Sequence, residues 1–515
     1  MSPPNVSQHD STGRRQFTYN RVIIMSIEPS ATGVAPTEVL SRRRRIGVLL
    51  ICSMSLLVVS LDVTIVNVAL PSIGRDFHSS LSGLQWTVDA YTLVLASFLM
   101  LSGSTADRLG RRRTFVTGLI IFITGSLLCS LAPDLTGLII FRMLQALGGS
   151  MLNPVAMSII TNTFTDPKER AQAIGVWAAV VGFSMALGPV VGGVLVDSVG
   201  WRSIFWINIP VGLLAVFLAL RFVPESKALV ARKVDARGQA IVIVLLASLT
   251  FAIIQAPSYG WASASTLGVF AISLVSLVTL VAWERRCAEP LINVRFFRSA
   301  PFSTATVIAV ASFAGLGGFL FLNTLYLQEV RGLSALGAGL DTLPMAAMTL
   351  ITPPIAGLIV GRRGARWPLL LGGVGILFGS VMLVRLSVNT PFTWLFCAYV
   401  VFGVGFGFVN PPITSAAVSG MPRAQAGVAS AIASTSRQVG ATLGVAIVGA
   451  LVGSKIDVTS KVAFTKASRD GWWVLTGCGL IVVVLGLVGT SNWAHASASR
   501  TAHELNPEYF EGRVS

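Results

Sequence analysis

The sequence has few charged residues for its length. Lysine, arginine, aspartate and glutamate together make up 12% of the 515 residues, whereas 53% of the residues are hydrophobic. Soluble domains usually carry about 25% charged residues, so there is too little polar surface to coat a water-soluble protein of this size. Continuous apolar runs of roughly 18–24 residues separate the charges, and this length spans a bilayer. Since barrel strands are shorter and alternate, these runs predict an all-α membrane protein.

Residues that could form a catalytic or metal site are also scarce. The chain has only 4 histidines, and its 5 cysteines are scattered without the spacing of metal ligands. No glycine-rich loop of the ATP-binding type is present. We therefore expect no enzyme, no cofactor and no metal site. The net charge of +16 does not indicate nucleic acid, because basic residues mark the cytoplasmic side of membrane proteins.

Fourteen apolar runs are long enough to form membrane-spanning helices. Most of the 38 lysines and arginines lie in segments that would be cytoplasmic if the N-terminus is inside. By the positive-inside rule, this predicts a multi-pass protein of the cell membrane (inner or plasma membrane) with both termini in the cytoplasm. The predicted spans are about 46–69, 83–104, 114–132, 137–160, 172–196, 203–222, 239–257, 264–283, 302–326, 343–361, 368–387, 393–416, 427–451 and 472–492.

Part of the sequence is repeated about 254 residues later. Asn153-Pro154 is echoed by Asn410-Pro411, which supports a duplicated half. At identical internal spacing stand Gly103, Asp107, Arg108, Gly110 and Arg112, and then Gly357, Gly361, Arg362, Gly364 and Arg366. Repeated halves around a central cavity are typical of secondary transporters. The predicted organisation is a disordered cytoplasmic tail (1–45), a six-helix bundle (46–222), a linker with two extra membrane helices (223–298), a second six-helix bundle (299–492) and a cytoplasmic tail (493–515).

Motifs along the first half resemble those of the major facilitator superfamily. The run 103–112 is similar to the loop signature of that superfamily, and Arg142 with Gln145 is similar to its fourth-span signature. Ala146 stands where the family usually has glycine. The run 182–193 resembles the fifth-span signature of antiporters.

The first span narrows the resemblance to a subfamily. Residues 61–71, which include Asp62, resemble the first span of the fourteen-span drug:proton antiporters, often called the EmrB/QacA type. The resemblance covers about residues 46–492. It implies the major facilitator fold, with two pseudo-symmetric six-helix bundles and two inserted helices, and it suggests a monomer.

Three ionisable residues inside predicted spans are the candidates for proton coupling. Asp62, Asp89 and Arg142 would all lie in the outer half of the membrane at ~1.5 Å per helical residue. An aspartate at the centre of a spanning helix costs roughly 2.5–3.5 kcal/mol, so such residues usually have a function. A dry site favours a neutral carboxyl group and a nearby arginine favours the charged one, so protons could compete with the arginine. A static ion pair that only orients helices is the alternative.

Two glycine-containing motifs suggest moving parts. Asp107 among basic residues predicts a cytoplasmic gate that pairs with a helix end or an arginine when that side is closed, although anchoring by positive charge is the simpler reading. The gate comprises Gly103, Asp107, Arg108, Gly110, Arg111 and Arg112. The antiporter motif would allow close helix packing and a proline kink, and it comprises Gly182, Gly188, Pro189, Gly192 and Gly193.

Polar residues deep in the other spans are candidates for a substrate cavity. These are Gln145, Asn153, Asn410 and Arg437. The resemblance implies a proton-coupled exporter of small, largely hydrophobic or cationic compounds that works by alternating access, with protons, small molecules and the lipid bilayer as its partners. Two alternatives stay open: a dedicated exporter of one metabolite or antibiotic, and a membrane sensor that does not transport.

Overall fold

The chain forms a bundle of long helices. The computed structural model describes residues 41–227, 235–287, 290–419, 426–453 and 461–505, so nearly all of the predicted disordered tail lies outside the described residues. The helices are α1 (Arg42–Asp76), α2 (Leu81–Leu109), α3 (Arg111–Ser130), α4 (Leu135–Thr163), α5 (Pro167–Ser198), α6 (Ser203–Trp206), α7 (Asn208–Phe222), α8 (Ala236–Tyr259), α9 (Ala264–Glu284), α10 (Ala300–Leu325), α11 (Ala335–Asp341), α12 (Leu343–Arg363), α13 (Arg366–Leu383), α14 (Phe392–Val418), α15 (Ala426–Gly453), α16 (Lys461–Gly489) and α17 (Asn492–Leu505).

The prediction of fourteen spanning helices is confirmed. Within the described residues, fourteen helices are long and apolar enough to cross a membrane. The short α6 and α7 together make the sixth span, and α10 continues through a π-helical turn to Val330 to make the ninth. Because a membrane interior offers no water to backbone groups, continuous helices of this length are what the apolar runs must form.

Two boundaries differ from the sequence prediction. The last span was expected to begin near residue 472, but α16 begins at Lys461, so most of the expected outer loop is helical. Its two lysines and one arginine before residue 472 extend the helix beyond the apolar core, which hydropathy alone does not reveal. The expected C-terminal tail contains α17, which packs on α10 and on the 3-10 helix Val294–Arg298.

The two ends of the bundle differ in the basic residues that they carry. The "basic end" is where α1 begins, and it carries Arg42–Arg45 and Arg111–Arg113. The "opposite end" is where α1 ends, at Asp76. Successive spanning helices alternate in direction between these two ends, so a residue's depth follows from its position in its helix.

The helices pack in two groups that repeat one another. In the first group α1 packs on α5 and α4 packs on both α2 and α3; in the second, α10 packs on α15 and α14 packs on both α12 and α13. The repeated loop motif ends α2 and α12 in the same way. Gly110 has φ +112° and Gly364 has φ +77°, a region of backbone space that favours glycine.

The two inserted helices lie beside the seam between the groups. α8 packs on α9 and also contacts both α2 and α15, one helix from each group. α9 exposes Leu274, Val275 and Val278, each more than 60% exposed, as expected of side chains that face lipid. The insertion therefore covers the seam where α2 meets α15.

Candidate functional site

A cavity of about 1050 Å³ lies between the two groups of helices. Both groups line it, and the lining residues lie near the centre or toward the basic end of their helices. Asp107 and Asp235 lie at the basic end of this lining, and Phe313 and Met185 lie near the middle of the bundle. The cavity is therefore open toward the basic end in this conformation.

The opposite end is sealed by contacts between the two groups. Asp197 at the end of α5 accepts hydrogen bonds from the backbone N–H groups of Ala335 (3.1 Å) and Leu336 (2.9 Å) at the start of α11. The Gln328 side chain donates to the carbonyl oxygen of Val68 in α1 at 2.8 Å. Since these bonds join different groups, the cavity can open at this end only if they break.

The antiporter motif in α5 lies where helices approach one another closely. A Cβ atom at Gly188 would overlap the side chain of Thr64 in α1, and one at Gly193 would overlap the backbone of Leu336. Gly192 faces Ile65 at 3.2 Å from a built Cβ. The glycines thus let α5 touch α1 on one side and the second group on the other.

The other members of that motif also face the second group. A built Cβ at Gly182 lies 3.1 Å from Leu350 of α12. Pro189 lies inside α5, and its carbonyl oxygen is approached closely by Gly339. The sequence identified these small residues, but it did not show that most of them contact the second group of helices.

A buried ion pair joins the first and fourth spans, as the sequence suggested. Arg142 donates to Asp62 through Nη1, and both side chains are 1% exposed. The second carboxylate oxygen of Asp62 accepts from Gln145 at 2.7 Å and from Asn208 at 2.9 Å. Ser126 accepts from both of these amides. Every oxygen of this carboxylate is therefore bonded within the protein.

Arg142 has further partners that the sequence did not reveal. Its Cζ lies 4.1 Å from the centre of the Tyr91 ring and 5.9 Å from that of Phe205, so its charge also interacts with aromatic faces. Its Nε donates to the Thr87 carbonyl oxygen at 3.4 Å. Asn208 is a functional candidate that sequence reasoning passed over, although it stands in the motif Asn208-Ile-Pro210 after a basic Trp-Arg pair.

Asp89 does not join this ion pair. Its side chain is fully buried, and neither carboxylate oxygen has a hydrogen-bond partner among the described residues. One turn before it, Gln85 donates to the carbonyl oxygens of Val445 and Ala446 in α15. One turn after it, Thr92 accepts a 2.7 Å hydrogen bond from Thr442 of α15. Asp89 therefore lies between two polar contacts of the seam.

The predicted gate is held by its own loop in this conformation. Arg111 donates to Asp107 at 3.0 Å, an ion pair between residues one helical turn apart. Glu225, after α7, accepts from the backbone N–H groups of Arg112 (3.1 Å) and Arg113 (3.3 Å) and so caps the start of α3. A Cβ at Gly110 would lie 2.6 Å from Glu225, which explains the glycine there.

The remaining residues predicted for the gate and the cavity lie in different places. Gly103 and Asp107 line the cavity, as do Asn153, Asn410 and Arg437. Gln145, which we expected in the cavity, lies instead in the buried cluster around Asp62. Its long amide side chain suits either place, and the sequence could not choose because it does not show which face of α4 meets α1. Arg108 is exposed.

The chain is similar in sequence to one family of membrane transporters. A family model described as Major Facilitator Superfamily matches residues 52–445. The chain is 36% identical over 428 residues to "Multidrug resistance protein Stp" of Mycobacterium tuberculosis (strain CDC 1551 / Oshkosh), covering 83% of this chain and 80% of that one. It is 35% identical over 435 residues to "Tetracenomycin C resistance and export protein" of Streptomyces glaucescens, with the same two coverages.

Solved structures show the same fold at low sequence identity. A bacterial homologue of the human lysosomal transporter Spinster superposes with a TM-score of 0.61 at 18% identity, covering 90% of this chain and 99% of that one. A D-xylose–proton symporter superposes with a TM-score of 0.61 at 16% identity, covering 87% and 97%. These likenesses concern the fold alone.

Proposed function

The chain belongs to the major facilitator superfamily, and we propose that it is a proton-coupled exporter of small, largely hydrophobic compounds. Its relatives are named as multidrug resistance, antibiotic resistance and export proteins, so it is a drug exporter and not an enzyme. The observation that carries the proposal is the cavity between the two groups, open at the basic end and sealed at the other.

Export is proposed because the named relatives are resistance and export proteins, and the open end indicates where the substrate enters. By the positive-inside rule, the basic end faces the cytoplasmic side of the cell membrane in this proposal, and both termini lie on that side. Substrate then enters the cavity from the cytoplasm or the inner leaflet. When the contacts of Asp197 and Gln328 break and the basic end closes, the same cavity opens outward. This is alternating access with the two groups acting as the moving bodies.

The gate residues fit the closing step. Asp107 lines the cavity, and among the described residues its ion pair is with Arg111 of its own loop while the basic end is open. Closure would bring it to a helix end or an arginine of the second group, and such a contact would stabilise the outward-open state. Glu225 holds this loop in place, because it accepts a hydrogen bond from the Arg112 backbone N–H group and packs closely against Gly110.

Asp89 is our first candidate for the coupling proton. An ionised carboxylate with no partner in a dry site is costly, whereas the neutral acid costs much less. A proton on Asp89 therefore permits α2 and α15 to close around it. Loss of that proton leaves a charge at the seam, which favours separation and hydration. Proton binding at Asp89 would thus be linked to closure of the opposite end.

Asp62 and Arg142 have a different part in this scheme. The Asp62 carboxylate accepts three hydrogen bonds, from Arg142 and Gln145 of α4 and from Asn208 of α7, so it joins three helices. We assign the pair to positioning α1 against α4 beside the seam. It becomes a second proton site only if outward opening separates Asp62 from Arg142.

The membrane potential is sufficient to drive export without ATP. One net charge moved across 100 mV supplies roughly 2.3 kcal/mol. Because each 1.4 kcal/mol is about a factor of ten, one charge supports a gradient of about 50-fold. The remaining partners are the lipid bilayer and protons, and we propose that the protein acts as a monomer.

The direct test is transport by the purified protein in liposomes. A pH-sensitive dye inside reports protons, and a fluorescent hydrophobic substrate reports export, with protein-free liposomes as control. We expect substrate addition to move protons, and an imposed pH gradient to drive the substrate against its concentration. If neither protons nor any of several drugs move, the exporter assignment is wrong, and a membrane sensor that does not transport becomes the favoured alternative.

Two of the relatives' names favour a second candidate, an exporter dedicated to one compound. The tetracenomycin C protein and a methylenomycin A resistance protein of Streptomyces coelicolor, 32% identical, are each named for one antibiotic. Competition among chemically unrelated substrates in the same liposomes separates the two. Mutual inhibition indicates a multidrug exporter, and its absence indicates a dedicated one.

A further inference from the structure

The wall of the cavity carries a single cation among the described residues. Three charged side chains line the cavity, and two of them, Asp107 and Asp235, lie at its basic end. The third, Arg437, lies eleven residues into α15, about 16 Å from the start of that helix at ~1.5 Å per residue. The deep part of the cavity is therefore positive, whereas the two lining carboxylates lie at its mouth, where Asp107 pairs with Arg111.

Within the part of the chain that the structure describes, the groups that contact Arg437 are uncharged. Its Nη2 donates to the Thr414 hydroxyl, and its Nη1 lies 3.5 Å from the Ser434 hydroxyl. Its Nε is buried and has no hydrogen-bond partner among the described residues. None of the described carboxylates forms an ion pair with it. The guanidinium is held in place by the protein, but its charge is not neutralised there.

Arg142 shows what a fully neutralised arginine looks like in the same protein. It pairs with Asp62, donates to Gln145 at 2.7 Å and lies over the Tyr91 ring. Arg437 has no such carboxylate and is half-buried at the cavity wall. Because charges inside a membrane protein usually pair or serve a ligand, the missing counter-charge at Arg437 points to a ligand.

Aromatic side chains define the shape of the ligand that would supply this charge. The Phe313 ring lies 5.9 Å from Cζ of Arg437 and packs edge-on against Phe406 at 5.1 Å, and both rings line the cavity. Trp177 lines it from the first group. A flat aromatic body with an acidic group matches the rings and the cation together.

We infer that the exporter prefers hydrophobic weak acids, aromatic carboxylates or phenolates, whose anionic oxygen binds the Arg437 guanidinium. This inference rests on the proposed function and narrows its substrate class. The guanidinium fork matches the geometry of a carboxylate and donates two hydrogen bonds to it. An organic cation would instead meet a positive charge in the deep part of the cavity. The membrane potential also favours outward movement of an anion.

The test compares two dyes that share the xanthene ring system and differ in charge. Fluorescein is an anion at neutral pH and rhodamine 123 is a cation. Binding of each to the purified full-length protein is measured by fluorescence anisotropy, and transport is measured in liposomes. The variants are Arg437→Gln, Arg437→Lys and the matched control Arg385→Gln, an exposed arginine outside the cavity lining.

We expect the wild-type protein to bind fluorescein at least about tenfold more tightly than rhodamine 123, since a hydrogen bond to a charged group contributes roughly 1.5–3 kcal/mol. Arg437→Gln should remove that preference without weakening rhodamine 123 binding. Arg437→Lys should keep part of the preference, because it keeps the charge but loses the fork. Arg385→Gln should match the wild-type protein.

Several results would overturn the inference. Equal or tighter binding of the cation by the wild-type protein would do so, as would failure to bind fluorescein or an unchanged anion affinity in Arg437→Gln. If Arg437→Gln does not fold, the wild-type ratio and Arg437→Lys decide. Drug export that shows no charge preference removes this inference and leaves the exporter assignment standing, whereas no movement of protons or any drug removes both.

Discussion

The two repeated halves of this protein use equivalent positions for different chemistry. In the first half Asp62, Arg142 and Gln145 form a buried, fully bonded polar cluster. At the offset of 257 residues that relates Asn153 to Asn410 on the same pair of helices, Arg142 and Gln145 correspond to Tyr399 and Phe402 of α14. Duplication has therefore preserved the backbone arrangement, while this ion pair is present in the first half alone among the described residues.

Aromatic packing takes the place of the ion pair in the second half. The Phe319 ring stacks on Phe402 at 4.5 Å and meets the edges of Tyr399 at 5.6 Å and Trp472 at 5.9 Å. Tyr399 donates its hydroxyl to the Asn323 amide oxygen. Such a cluster has no charge to titrate, so it stabilises its half whatever the pH. We therefore propose that proton coupling takes place in the first half, whereas uncharged aromatic packing holds the equivalent place in the second.

The contrast between the two halves predicts its largest effect at Arg142. Arg142→Gln leaves Asp62 buried without a cation, and we expect a loss of roughly 3–5 kcal/mol in stability together with loss of transport. Thermal unfolding of the purified protein and liposome transport measure the two effects. A control elsewhere in α14 is Phe396→Leu, which changes a side chain that is 46% exposed, and little change is expected.

A double variant separates charge from packing at that site. Asp62→Asn combined with Arg142→Gln removes both charges, so most of the lost stability should return while transport stays impaired. If Arg142→Gln and Tyr399→Phe destabilise equally, the contrast between the halves is wrong.

Asp89→Asn should have the next largest effect, on transport alone. The amide is close in size to the unpartnered acid and cannot release a proton, so we expect stability near that of the wild-type protein and loss of transport driven by a pH gradient. Exchange of labelled for unlabelled substrate without a gradient should persist. Asp62→Asn is the informative comparison, because it removes the partner of Arg142 and should destabilise the protein. Full gradient-driven transport by Asp89→Asn would show that the coupling proton binds elsewhere.

Gly193→Ala tests the seam between the halves. Its Cβ would overlap the backbone of Leu336, so closure of the opposite end should become harder by about 1–3 kcal/mol. Maleimide labelling of a cysteine introduced at Ala446, in a background without the native cysteines, should rise several-fold. Gly477→Ala is the control, because nothing lies within 4 Å of a Cβ built there. Unchanged labelling in Gly193→Ala would mean that this contact does not hold the end closed.

Tyr399→Phe should have the smallest effect. It removes one buried hydrogen bond to Asn323, for which about 0.5–1.5 kcal/mol is expected. Gradient-driven transport should keep its pH dependence, since no titrating group is changed in the first half. A shift of the pH profile in this variant would place coupling chemistry in the second half as well.

Much of the architecture was predictable because membrane helices follow local rules. The apolar runs, the basic loops and the repeat at Gly110 and Gly364 indicated the fourteen spans and the duplicated halves, and the structure confirms them. Hydropathy does not detect helix outside the apolar core, so α17 and the first turns of α16 were missed.

The site was predictable in part. Depth along the helices correctly brought Asp62 to Arg142, since rise per residue is fixed. Asp89 lies in the same outer half but faces α15 and not Arg142, and Gln145 faces Asp62 and not the cavity. Glu225 was not identified as the cap of α3, because its partner is more than 100 residues away.

The sequence by itself determined the class of protein, the number of spans and the residues able to carry charge in the membrane, because the bilayer imposes length, hydropathy and charge rules on each segment separately. Only the tertiary structure decided which of those charges are neutralised. Rotation of each helix about its axis places Arg142 against a carboxylate and Arg437 against the open cavity. That rotation is set by packing between distant segments, and no local pattern in the chain records it.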